Sequence, residues 1–193
     1  MNAKKHPGEP NFAGTISDTY QTSTPAWPDL PQGLGGANVI TIVFDDMGFS
    51  HPSCFGSSIP TPNIDRLAQN GLRYTGFHTT ALCSPSRASL LTGRNHHSVG
   101  MRGVSNWNTG FPNMRGGITP RAATMAEVLR QQGYATLAAG KWHLAPMEEC
   151  TAAGPHTNWP LQKGFDRFYG FLNGETDQFY PELTQYKKQM RPP

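Results

Sequence analysis

Val39-Ile40-Thr41-Ile42-Val43-Phe44 is a short, nearly continuous run of β-branched and aromatic residues. A strand with one wet face alternates apolar and polar side chains, whereas a strand covered on both faces does not. The run therefore reads as a strand of a parallel sheet, and it ends in Asp45-Asp46-Met47-Gly48. Beyond it, helix and strand patterns alternate. Residues 61–71 read as a helix: Thr61 can cap it, Pro62 suits the first helical position, Ile64, Leu67 and Ala68 share a face, and Gly71 stops it. Residues 72–77 read as a second strand, and 85–91 as a short helix closed by Gly93. Thr119-Pro120 opens and Gly133 closes a third helix, with Met125, Val128 and Leu129 facing inward. Residues 134–139 then read as a third strand. This is the order of an α/β domain, a mainly parallel sheet flanked by helices. The stretch from Leu161 is rich in aromatics, runs into a polar tail at 185–193, and carries no further expected core element.

The chain has 193 residues, 36% hydrophobic and 15% charged, which suffices for one globular core. Residues 1–37, rich in Pro, Gly, Ser and Thr, read as an extended arm, and 38–193 as the domain proper. A net charge of +3 without a basic cluster argues against nucleic acid as a partner. The three cysteines, Cys54, Cys83 and Cys150, form neither a disulfide framework nor a CxxC metal pair. No apolar run follows the charged N-terminus and none is long enough to span a bilayer, so neither a secretory signal nor a membrane partner is expected, and the default location is the cytoplasm.

Ligands of open α/β sheets bind beyond the carboxyl ends of the strands. Asp45 and Asp46 follow the first strand and Lys141-Trp142-His143 the third, so both groups belong to one sheet edge if those strands are parallel. Cys83 opens a helix, where backbone N–H groups and the helix dipole favour an anion. A lone cysteine is usually a small buried hydrophobe; the neighbours of Cys83 change that reading.

Residues 81–93, ALCSPSRASLLTG, resemble the first signature of the type I sulfatases, with its C-x-P-S-R centre at Cys83 to Arg87. Residues 133–143, GYATLAAGKWH, resemble the second. Both occur in order behind an Asp-Asp strand end, and wordings such as PNIDRLA and KGFDRFYGFLNGETDQ look like bacterial arylsulfatases. The resemblance covers about residues 10–181 and implies the N-terminal part of an alkaline-phosphatase-like fold.

It also implies chemistry. Cys83 would be oxidised to formylglycine by a formylglycine-generating enzyme that reads C-x-P-S-R. One hydroxyl of the hydrated aldehyde would attack the sulfur of a small-molecule sulfate ester while the alcohol or phenol leaves; the second would then lose its proton, expel sulfate and restore the aldehyde. Serine has no second hydroxyl with which to do this. Asp45 and Asp46, together with the group derived from Cys83, would bind a divalent cation, usually calcium. Arg87 would stabilise the formylglycine hydrate, and Lys141 and His143 would hold the sulfate and assist the leaving oxygen.

Blander readings stand beside these. Asp-Asp after a strand is often a turn, and His96, His97, Trp107, Trp142 and Trp159 serve packing as readily as substrate. Cys54 and Cys150 read as structural. Nothing after Pro181 matches the family's later metal ligands, second histidine or second lysine. The expectation is thus a truncated or split sulfatase, a C-terminal sulfatase segment as possible partner, and little activity from the isolated chain. The rivals are a phosphonate or phosphodiester hydrolase of the same superfamily and a non-catalytic remnant.

Overall fold

The computed structural model describes residues 12–27, 36–186 and 188–189. The rest of the expected arm (1–11 and 28–35) and of the polar tail (187 and 190–193) lies outside the described residues. The chain divides into two compact units, residues 1–36 and 37–193. In the first, Thr15 and Thr24 exchange backbone hydrogen bonds of 2.9 Å around a 3-10 turn at Tyr20–Thr22.

The second unit carries three α-helices: α1 (Pro62–Asn70), α2 (Cys83–Thr92) and α3 (Met125–Gln131). Proline begins α1 and Gly71 ends it, but Thr61 does not cap it with its side chain. The Thr61 hydroxyl instead accepts from Ser53 N at 2.9 Å and donates to Asp65 at 3.3 Å, tying the helix to the preceding turn. Gly93 closes α2 in a left-handed conformation (φ 64°), its N–H reaching Ser89 O at 2.8 Å. The third helix is shorter than expected. Its start is a capping box at Thr124, which accepts from Glu127 N at 3.2 Å while the Glu127 carboxylate accepts from Thr124 N at 2.7 Å. Ala126 is its buried residue, and Val128, expected inside, is exposed.

A four-stranded sheet completes the unit, in the order β1 (Leu137–Lys141), β2 (Arg167–Phe171), β3 (Thr184–Gln185) and β4 (Lys188–Gln189). Among the described residues one pairing, β1 with β2, is parallel and two are antiparallel, so the sheet is mixed rather than mainly parallel. The third expected strand is present, displaced to Leu137–Lys141. The strands expected at 39–44 and 72–77 are not strands. Ile40 is 82% exposed and Leu72 84%. Residue type makes these runs competent to pair, but a ladder needs a partner backbone, and neither run has one among the described residues. An open trough of about 860 Å³ separates Val39, Ile40 and Val43 from Leu137, Ala138 and Ala139 of β1. Conversely, β2 grows out of the aromatic-rich segment for which no core element is expected.

Val99, Met101, Ile118, Leu144 and Trp159 are fully buried, with Trp142 and Phe168 almost so. Trp142 meets Phe165 edge-on, centroids 5.9 Å apart, and donates its indole N–H to Asn158 O at 2.8 Å. Trp142 and Trp159 are thus core residues, whereas Trp107 is exposed. Buried Trp142 lies between Lys141 and His143, so core packing sets where those two side chains stand.

Candidate active site

Backbone geometry prepares the site at three points. Cys83 is the first residue of α2, and Arg87 lies one turn later on the same helix. Asp46 follows the 39–44 run in a left-handed conformation (φ 53°). His143 is also left-handed (φ 53°) just beyond β1. There the backbone remains tied to the β2 side, with Trp142 N on Phe171 O at 2.9 Å and His143 N on Leu172 O at 3.0 Å. Left-handed backbone is costly for residues with a Cβ and persists where surrounding contacts hold it.

The side chains converge on that edge. Cys83 Sγ is 3.1 Å from His143 Nδ1, and the far ring nitrogen, Nε2, is 2.7 Å from Asn106 Oδ1. Lys141 Nζ is 2.5 Å from Asp45 Oδ2, and Arg87 Nη2 is 3.6 Å from the same oxygen. Arg87 Nη1 also donates to Lys141 O at 2.7 Å, fixing the guanidinium against the end of β1. Arg87 Nε is buried and has no hydrogen-bond partner among the described residues. Burial lowers the pKa of His143 to about 4, reinforced by the Lys141 and Arg87 cations and opposed by Asp45. The imidazole is therefore neutral near pH 7, able to accept a proton at one nitrogen and donate at the other.

The structure thus brings Cys83, Arg87, Lys141, His143 and Asp45 together, and Asp46 lines the same trough as Asp45, Arg87 and Lys141. The cation implied for Asp45, Asp46 and Cys83 fits less well. No three His, Cys, Asp or Glu residues form a ligand group among the described residues. Asp45 Oδ2 is engaged by two cations, and calcium takes six to eight oxygens. These residues do not hold calcium by themselves. His96 spends Nδ1 on Met101 O at 2.8 Å, a packing contact. Cys150 is buried beside the carbonyls of Ala145 and Pro146, and burial, with Glu149 and Glu148 nearby, pushes its thiol to about 11.

Two neighbours of His143 escape sequence reasoning. Asn106 lies in a turn-rich stretch, VSNWNTG, with no motif around it. Gly174 leaves room for the imidazole: a Cβ there would stand 2.7 Å from His143 Cε1. The glycines of a KGFDRFYGFLNGE segment carry no local sign of which one faces a ring.

Known proteins share this sequence and fold. The sulfatase family model matches residues 37–190. The chain is 38% identical over 144 residues to the arylsulfatase of Klebsiella aerogenes, covering 74% of this chain and 29% of that one. It is 44% identical over 147 residues to human arylsulfatase A, covering 73% and 27% respectively. Among solved structures, Ps i-CgsB superposes with a TM-score of 0.57 at 27% identity, over 76% of this chain and 35% of that one. The PsFucS1 sulfatase from Pseudoalteromonas sp. gives 0.51 at 29% identity, over 70% and 25%. The chain thus spans about a quarter of the length of the curated relatives it matches. Its matched region takes in both signature segments and the Asp45-Asp46 pair. The chain belongs to the sulfatase family.

Proposed function

We propose that this chain supplies the nucleophile-bearing part of a sulfuric ester hydrolase acting on aryl sulfates. The observation that carries the reading is the contact of Cys83 Sγ with His143 Nδ1 at 3.1 Å, beside the cationic pair Lys141 and Arg87. Position 83 suits a formylglycine: it opens a helix, is partly exposed, and an oxygen in place of Sγ has a ring nitrogen to donate to. When formed, that group would supply a hydrated aldehyde, one hydroxyl to attack sulfur as the alcohol or phenol leaves and the other to expel sulfate.

The chain's own residues do the rest. Neutral His143 holds a proton acceptor against position 83. Lys141 and Arg87, gathered at Asp45, neutralise the sulfate oxygens. Asp45 keeps the two cations on one side of the site until an anion competes for them. Asp45 and Asp46 contribute to a cation site only with oxygen ligands from elsewhere, and no step here is routed through a metal.

The test is turnover of nitrophenyl sulfate by the formylglycine-bearing chain, alone and with a separately expressed C-terminal sulfatase segment. The chain alone should not exceed its Cys83→Ala control, because losing even one oxyanion donor costs roughly a hundred- to a thousand-fold. The pair should exceed that control and lose the gain with Lys141→Ala. Faster turnover of a nitrophenyl phosphonate ester would overturn the sulfate reading, and no turnover of either ester by the pair would leave a non-catalytic remnant.

A further inference from the structure

We infer that Asn106 is a positioning residue: it decides which nitrogen of His143 carries the ring proton, and so leaves a lone pair toward position 83. A neutral imidazole carries one proton, and the partner of one nitrogen settles the role of the other. Asn106 Oδ1 stands 2.7 Å from His143 Nε2. The amide orientation is itself pinned, because Asn106 Nδ2 is 3.1 Å from the thioether sulfur of Met147, which accepts but cannot donate. The oxygen must therefore face the ring and accept from Nε2–H. Nδ1 is left with its lone pair toward Cys83 Sγ, 3.1 Å away.

The loop that carries Asn106 is fastened to the elements it serves. Ser105 N donates to the buried Ser84 hydroxyl at 3.1 Å, so the residues next to Asn106 and Cys83 are joined directly. Asn108 Nδ2 donates to Glu148 Oε1 at 2.8 Å, tying the loop to the turn that bears Met147. The relay Met147–Asn106–His143–Cys83 is thus held at both ends. Its use in catalysis rests on the reading of position 83 as the nucleophile; the geometry of the ring does not.

The experiment reads the ring proton directly, in the full chain with unmodified Cys83, so neither maturation nor turnover enters it. In ¹⁵N-histidine-labelled protein at pH 8, the His143 signal is identified by its loss in His143→Gln. The expected result is a proton bound to Nε2, exchanging with water about ten-fold more slowly than in Asn106→Ala, the equivalent of about one net hydrogen bond. Asn106→Asp, which keeps an acceptor, should retain the Nε2 proton and most of the protection. Matching urea midpoints would show that the fold is common to all. A proton on Nδ1 in the unmutated chain overturns the proposal outright. So does protection that is unchanged in Asn106→Ala, or lost equally in Asn106→Asp.

Discussion

Lys141 Nζ lies 2.5 Å from Asp45 Oδ2, so the amine proposed to meet a sulfate group is paired with one of the carboxylates proposed to meet a cation. A calcium ion arriving at Asp45 must displace that ammonium. Calorimetry should find no tight, stoichiometric calcium site in the chain, and Lys141→Met should raise calcium affinity several-fold. A tight site in the unmutated chain would mean that oxygen ligands beyond Asp45 and Asp46 are already present.

Cys83 should be converted to formylglycine when the chain is co-expressed with a formylglycine-generating enzyme, and Cys54 and Cys150 should not. Only Cys83 stands in a C-x-P-S-R segment. Peptide mass spectrometry reads the mass change, and an unmodified Cys83 peptide under those conditions counts against the maturation proposal.

Gly174→Ala should disturb His143 more than its size suggests, because the added carbon would lie 2.7 Å from Cε1 and 2.9 Å from Nε2. The ring must shift to make room, which disturbs its contacts with Cys83 and Asn106. A stability loss of about 1–3 kcal/mol by urea denaturation is expected for such overpacking, together with displaced His143 ring resonances. Unchanged ring resonances would show that the space is slack.

Thr124→Ala should cost about 0.5–2 kcal/mol, the range for a lost helix cap. The same hydroxyl also donates to Lys163 O at 2.6 Å in a buried position. Thr124→Ser, which keeps both bonds, should recover most of the loss in the same measurement.

The Cys150 thiol gives a pH signature. Its folded pKa is raised from 9.0 to about 11, chiefly by burial, so between those values the folded chain holds a proton that the unfolded chain has released. The contribution is complete below pH 9 and is lost as the pH climbs to about 11. The stability difference between the unmutated chain and Cys150→Ala should therefore shrink across that window, and a flat difference would contradict the shift.

Elements set by local chemistry are legible in the sequence. Pro62, Gly71 and Gly93 act on their own few bonds, and α1 and α2 stop where they indicate. Thr119-Pro120 suggests a start for α3 that lies too early, although Thr124-Met125-Ala126-Glu127 carries the sharper capping-box pattern. Strands are harder because pairing is not local. Residues 39–44 have the composition of a buried strand and no partner among the described residues, while the plainer β2 pairs on both sides. At the site, motif spacing indicates which side chains gather near Cys83. Asn106 and Gly174 are invisible because one acts through a ring nitrogen and the other through an absent side chain.

The left-handed backbone at Asp46 bears on any attempt to improve this protein in the laboratory. Asp46 is exposed, and the conformation at φ 53° suits glycine better than any residue with a Cβ. Asp46→Gly should accordingly survive a heat screen as well as the parent or better, while discarding a carboxylate beside the site. Selection for heat resistance alone would then erode the chemistry it leaves unmeasured, and libraries spanning this position need a functional readout alongside the thermal one.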